Sequence, residues 1–227
     1  MDGAVAHRPW PDRASDPIRS GQARSIARAG SALVRPQSRA VDGYPVVMAI
    51  RFYVGHGASG SAASMAGHVR GLLARGVDAR AIDLPLKKAE AAVPAFRAIV
   101  PDGPLAAGAD GRAIAVGGQS YGGRVASLAA AESDTDYAAL VLFSFPLHPP
   151  GASGKADERT AHFAAIRCPV LFLSGEADPF ARLDLLRERI RLLADAELVT
   201  YPRLGHTLKP VLADALDRTA AFLLARG

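Results

Sequence analysis

Short apolar runs alternate with longer segments of helical period through most of this chain, and that alternation limits the folds open to it. The runs are bounded by Gly, Pro or Asp, and most are apolar at nearly every position, as in strands covered on both faces. Strands of this kind separated by helices are typical of βαβ units. We predict strands at 46–54, 78–82, 113–117, 139–144, 170–174 and 197–201, and helices at 61–75, 89–99, 122–132, 156–165, 180–193 and 208–224. The body of the chain is therefore predicted to be α/β, a mostly parallel sheet with helices on both faces.

The first part of the chain differs in composition from the rest. Residues 1–44 are rich in Arg, Ala, Ser and Pro and lack a sustained apolar period, which predicts a disordered or weakly ordered extension. Its acidic residues and prolines disfavour a transit peptide, and it has no apolar signal-peptide core. We expect one domain over residues 45–227, a length that a single core can serve.

Composition disfavours several classes of protein. No run approaches the roughly 18 apolar residues that cross a bilayer, and the net charge of +5 is scattered among acidic residues with few aromatics, which disfavours nucleic-acid binding. Cys168 is the lone cysteine, so no disulfide framework is expected. The histidines have no metal-ligand spacing, and no nucleotide-binding glycine motif occurs. We expect a cytoplasmic monomer or homodimer with no metal, cofactor, membrane or nucleic-acid partner.

The most specific motif is Gly118-Gln119-Ser120-Tyr121-Gly122, which lies between a predicted strand and a predicted helix. This G-x-S-x-G form requires a strained turn on which side chains at the flanking positions would collide with neighbouring backbone. The turn exposes the Ser120 hydroxyl at a helix N-terminus, where developing negative charge is favoured. The context predicts Ser120 as a nucleophile.

A serine nucleophile needs a histidine base and an acid that orients it, in the chain order Ser, Asp or Glu, His. Asp178 follows the strand at 170–174, and His206 follows the strand at 197–201. Each of the three residues has a simpler explanation as a helix cap or a helix-flanking residue. Their order and placement together favour a triad of Ser120, Asp178 and His206. The rival acids are Glu176 and Asp184.

Acyl transfer also needs two backbone N–H groups that stabilise the oxyanion. Tyr121, directly after the nucleophile, supplies one, and the glycine-rich run that follows the first strand, 55–60, suggests Ala58 as the other. His56 is expected to organise this loop.

Taken together, these motifs resemble the small lidless α/β-hydrolases of the dienelactone-hydrolase-like branch. The matching segments are His56 to Gly60, Gly117 to Arg124, Phe145 to Gly151, Gly175 to Phe180 and Gly205 to Pro210, and the similarity covers about Val46 to Leu224. The resemblance implies the α/β-hydrolase fold and a serine esterase acting on a small ester. Because a eukaryotic arm of this group supplies a subunit of a chromatin-modifying complex, a protein-interaction module with little or no activity is the alternative.

The short segment between the strands at 139–144 and 170–174 leaves no room for a large lid. An open, moderately apolar site is therefore expected. The side chains expected to contact substrate are His56, Leu84, Leu147, His148 and Phe180. Arg124, one helical turn beyond Ser120, either binds an anionic substrate or ties its helix to a loop; the second role is favoured.

Overall fold

A computed structural model of the chain describes residues 50–101 and 111–227. The predicted N-terminal extension, 1–44, and the first positions of the first predicted strand, 46–49, lie outside the described residues. Everything described falls within the unit Pro45–Gly227.

Six parallel strands form one sheet in the described part of the chain, in the order β2-β1-β3-β4-β5-β6. The strands are β1 Ile50–Gly55, β2 Asp78–Ile82, β3 Ala113–Gln119, β4 Ala139–Phe143, β5 Val170–Gly175 and β6 Ala196–Tyr201. All residues of β1, β4 and β5 are buried, as expected for strands covered on both faces. The predicted fold class is confirmed.

The helices cover both faces of the sheet. They are α1 Ala66–Leu73, α2 Ala89–Ile99, α3 Tyr121–Ala130, α4 Ala156–Thr160, α5 Leu183–Ile190 and α6 Leu212–Leu224. Successive residues of β4 alternate between two cores: Leu140 and Leu142 pack with residues of α2, α3 and α5, while Val141 and Phe143 pack with residues of α1 and α6. This alternation follows from the two-residue period of a strand.

Several predicted helices are shorter in the structure or interrupted. The one expected over 156–165 is α4 followed by a separate 3-10 turn, Phe163–Ala165, and the one expected from residue 180 begins only at Leu183. The late start has one local cause and one that is distant in sequence: the Asp178 carboxylate accepts the Phe180 N–H, and the Arg182 N–H donates to His148 Nε2. These bonds hold residues 178–182 in an irregular turn.

The segment between β4 and β5 carries only α4 and two 3-10 turns, so the described residues include no large lid. The loops that leave β1, β3, β4, β5 and β6 all emerge at the carboxyl edge of the sheet, because parallel strands end on the same side. Within the described ranges, no helix combines the length and the apolar character needed to cross a membrane.

Candidate active site

Ser120 lies on a sharp turn between β3 and α3. Its φ of 50° and ψ of −109° fall in a region that side chains rarely adopt, and its N–H donates to the Phe143 carbonyl at 2.8 Å. A Cβ on Gly118 would lie 2.5 Å from Gly122 C, and one on Gly122 would lie 2.4 Å from Gly55 C. The glycines are therefore required by close backbone approach, which is the steric reason expected from the motif.

Three side chains from three loops form a continuous hydrogen-bonded chain. The Ser120 hydroxyl lies 2.8 Å from His206 Nε2, and His206 Nδ1 lies 2.8 Å from Asp178 Oδ2. The Asp178 side chain is fully buried, whereas that of His206 is 26% exposed. A carboxylate only accepts hydrogen bonds, so Nδ1 carries the proton and Nε2 is free to accept one from the serine. This is the arrangement in which a histidine can act as a base toward Ser120.

Backbone contacts hold the loops that carry the acid and the histidine together. The Ala177 N–H donates to the Leu204 carbonyl at 2.8 Å, and a Cβ on Gly175 would lie 2.2 Å from the Gly205 carbonyl oxygen. Only glycine permits that approach. The Phe180 ring packs against the His206 ring with their centroids 4.5 Å apart, and it shields one side of the imidazole.

The two rival acids contact other partners. Glu176 is exposed, and its carboxylate accepts the Thr200 hydroxyl at 2.8 Å. Asp184 is exposed and makes two hydrogen bonds to Arg182, at 2.7 and 2.9 Å; this side-chain hydrogen bonding is the main cause that lowers the pKa of Asp184. The structure brings Asp178, and neither rival, to His206.

The two predicted oxyanion donors both line the cavity at Ser120. Among hydrogen bonds of the described residues, neither the Ala58 N–H nor the Tyr121 N–H donates to a protein acceptor. The Gly122 N–H donates to the His56 carbonyl at 2.9 Å, which fixes the loop after β1 against the nucleophile turn. Both donors are thus free to bind an oxyanion on a substrate.

His56 holds its loop in place from the inside. It is only 1% exposed, its Nδ1 lies 2.8 Å from the Gly57 carbonyl and its Nε2 accepts the Leu84 N–H at 3.0 Å. Both ring nitrogens are occupied, which matches the expected organising role.

A cavity of about 220 Å³ opens beside Ser120. Its walls are Ala58, Ser120, Tyr121, Arg124, Pro146, Pro149, Arg159 and Phe180. Phe180 is the one residue of the five predicted substrate contacts that lines it. The structure does not bring the other four to the cavity, because each is at most 5% exposed; they are His56, Leu84, Leu147 and His148.

Arg159 is a cavity residue that sequence reasoning missed. Its place in a predicted helix gives no local sign that its side chain turns toward the serine, since the contact depends on how the segment after β4 folds over α3. Arg124, by contrast, ties its helix to its neighbours as favoured from sequence: Nη1 donates to the Arg159 carbonyl in that segment at 2.9 Å, and Nη2 lies 2.5 Å from Glu90 Oε1 on α2.

A second serine and histidine lie close together but are arranged differently. The fully buried Ser127 hydroxyl donates to the Arg124 carbonyl at 2.8 Å and lies 2.9 Å from His162 Nε2. With its proton directed at that carbonyl, Ser127 accepts from the imidazole, and burial lowers the pKa of His162 to about 4. Burial likewise raises the pKa of the Cys168 thiol to about 11. The Ser127–His162 pair and the Cys168 thiol therefore have weak nucleophilic character.

The sheet, the strained serine turn and the loop positions at the carboxyl edge are those of the α/β-hydrolase class. The family model described as "Alpha/beta hydrolase domain" matches residues 55–224, and the chain belongs to this family.

Solved structures share the fold at low sequence identity. The monoacylglycerol lipase of Paleococcus ferrophilus has a TM-score of 0.65 at 13% identity, with 78% of this chain and 95% of that chain covered. Est1E from Butyrivibrio proteoclasticus with bound ferulic acid has a TM-score of 0.62 at 18% identity, covering 78% and 88%. The dienelactone hydrolase of Anabaena variabilis has a TM-score of 0.60 at 20% identity, covering 80% and 88%. A search of functionally curated proteins found no match.

Proposed function

We propose that this protein is a serine hydrolase that cleaves a small ester through a covalent acyl-enzyme, with Ser120 as nucleophile, His206 as base and Asp178 as the orienting acid. The observation that carries the proposal is the pair of 2.8 Å contacts that link these three side chains through one imidazole. Lipases and esterases among the structural neighbours support the ester-acting class.

The proposed reaction begins when His206 Nε2 takes the hydroxyl proton of Ser120 as its oxygen bonds to the substrate carbonyl carbon. The carbonyl oxygen becomes an oxyanion that the Ala58 and Tyr121 N–H groups bind. Asp178 stabilises the imidazolium and keeps Nε2 directed at the serine. The tetrahedral intermediate collapses, the bond to the leaving oxygen breaks and the imidazolium gives its proton to that oxygen.

The second half of the reaction repeats these steps with water. His206 takes a proton from a water molecule that attacks the acyl-enzyme, and the proton then returns to the Ser120 oxygen as the acid product leaves. The open cavity of about 220 Å³ suits a short or flexible substrate.

The localisation, oligomeric state and partners of the protein stay predictions. A cytoplasmic monomer or homodimer that needs no metal, cofactor, membrane or nucleic acid is still what composition favours, and residues 1–44 are still expected to be an extension outside the hydrolase domain.

Labelling with a fluorophosphonate probe tests the proposal without knowledge of the natural substrate. We expect the wild type to be labelled, and Ser120→Ala to lose labelling and about four to six orders of magnitude of ester turnover while keeping its melting temperature. Ser127→Ala is the matched control, since it removes the hydroxyl of the second serine–histidine pair, and it should still be labelled.

Labelling that persists in Ser120→Ala would refute the assigned nucleophile. A folded wild type that neither reacts with the probe nor hydrolyses any ester would favour the interaction-module alternative.

A further inference from the structure

A larger cavity adjoins the one at Ser120. It has a volume of about 660 Å³, and its wall includes Tyr121, Arg124 and Arg159, the same three residues that line the smaller cavity. A substrate whose ester bond reaches Ser120 can therefore extend along these shared side chains. The charges and hydrogen-bond donors of these shared side chains decide which substrates bind more tightly in this extended position.

The two arginines of the shared wall are in different states. Arg124 is 9% exposed and its guanidinium is bound to Glu90 and to the Arg159 carbonyl, so it is already neutralised and held. Arg159 is half-buried, and the only hydrogen bond of its guanidinium to the described residues runs from Nη1 to the Pro146 carbonyl at a long 3.3 Å. No carboxylate of those residues lies within 4 Å of it. Its Nε and Nη2 donors remain available.

The charge around Arg159 favours an anion. The other ionisable groups of the larger cavity are Lys87, Lys88 and Glu158, together with the Arg124–Glu90 pair. With that pair counted as neutral, two lysines and Arg159 face one glutamate.

The protonated form of Arg159 is itself disfavoured by its surroundings. Burial is the main cause that lowers its pKa; the positive charge of Arg124 lowers it further, and the negative charges of Glu90 and Glu158 act in the opposite direction. A bound carboxylate offsets the effect of burial, because it replaces the hydration that the guanidinium has lost.

We propose that the substrate is an ester that carries a carboxylate, and that Arg159 binds this carboxylate through Nε and Nη2. A planar guanidinium with two adjacent free donors matches a carboxylate in a bidentate fashion. The inference rests on the proposed hydrolase function and narrows its substrate class.

The test compares charged esters with neutral ones of the same shape. In mono-4-nitrophenyl adipate the carboxylate lies on the acyl side of the ester bond, and in 4-acetoxybenzoate it lies on the leaving-group side. The methyl ester of each compound is its neutral counterpart. The readout is the ratio of kcat/KM, charged over neutral, for each pair. We expect the wild type to prefer one of the two charged esters by about tenfold or more, the size typical of a hydrogen-bonded charge pair.

Arg159→Gln should lower that ratio about 10- to 100-fold, and Arg159→Lys should restore part of it because the charge is kept. A loss of folding or of serine reactivity affects both esters of a pair and cancels in the ratio. Arg191→Gln is the matched control: it removes one positive charge at an exposed arginine that lines neither cavity, so the ratio should stay as in the wild type.

Fluorophosphonate labelling is measured first, because it tests the hydrolase proposal independently of the carboxylate proposal. A labelled enzyme that shows no charged-ester preference in either pair, or keeps its preference in Arg159→Gln, overturns the carboxylate proposal while the hydrolase proposal stands. Absence of labelling overturns the hydrolase proposal itself.

Discussion

Replacing the Asp178 carboxylate by an amide is the sharpest test of how the site works. Both oxygens of Asp178 are in use: Oδ2 accepts the Nδ1–H of His206 and Oδ1 accepts the Phe180 N–H, each at 2.8 Å. An asparagine has one acceptor oxygen for these two donors. The hydrogen bond to the fixed backbone N–H is retained only if the amide NH₂ turns toward His206.

That orientation reverses the tautomer of the imidazole. Nδ1 then accepts from the amide, the proton moves to Nε2, and the nitrogen that faces the Ser120 hydroxyl no longer accepts a proton. All hydrogen bonds remain satisfied, so the free energy of unfolding should change by less than about 1 kcal/mol. The rate of ester hydrolysis at neutral pH should fall about 10⁴-fold, or about 5 kcal/mol of transition-state stabilisation.

Glu176→Gln is the matched control, because it makes the same chemical change two residues earlier on an exposed side chain. Its Oε1 accepts the Thr200 hydroxyl, and the amide oxygen of glutamine can replace it there. We expect activity within about twofold of the wild type, since the change does not reach His206. Both variants are assayed on one 4-nitrophenyl ester together with urea unfolding. A severe defect in Glu176→Gln beside a near-normal Asp178→Asn would refute the assignment of the acid.

The remaining predictions concern the nucleophile turn and the response to acid. Gly122→Ala should lower the free energy of unfolding in urea by about 1–3 kcal/mol and should also lower ester hydrolysis, because its Cβ would meet the Gly55 backbone at 2.4 Å. Gly67→Ala is the control: its nearest contact would be at 3.7 Å, so it should leave stability unchanged or raise it. Equal effects of the two substitutions would contradict the steric argument. Burial lowers the pKa of His68 and of His162 from 6.5 to about 4, so the unfolded chain binds more protons between these values and stability falls as pH drops through this window. From pH 7 to pH 5, each of these two histidines should lower the free energy of unfolding by about 1–2 kcal/mol after allowance for partial exposure. Urea unfolding of the wild type should show this loss, and His162→Gln should show less of it. A free energy of unfolding that does not change with pH would contradict the prediction.

Much of the fold was predictable because the information is local. A parallel strand covered on both faces must be apolar along its length, so β4 and β5 were located to within a residue at each end. Helix ends were less predictable, since the turn at 178–182 depends on a hydrogen bond from Arg182 to His148, which is distant in sequence.

Some residues of the candidate site could likewise be predicted from the sequence, and others could not. The sequence by itself determined Ser120, Asp178 and His206 as candidates, because a strained turn demands flanking glycines and because loops after parallel strands meet at one edge of the sheet. Only the tertiary structure decided which acid reaches His206 and which side chains face the cavity. His148 and Leu147 turn inward, while Arg159 turns toward the serine, because the path of the segment after β4 is set by its packing on α3. Side-chain direction in an irregular segment depends on contacts between parts of the chain that are distant in sequence, and no local pattern encodes it.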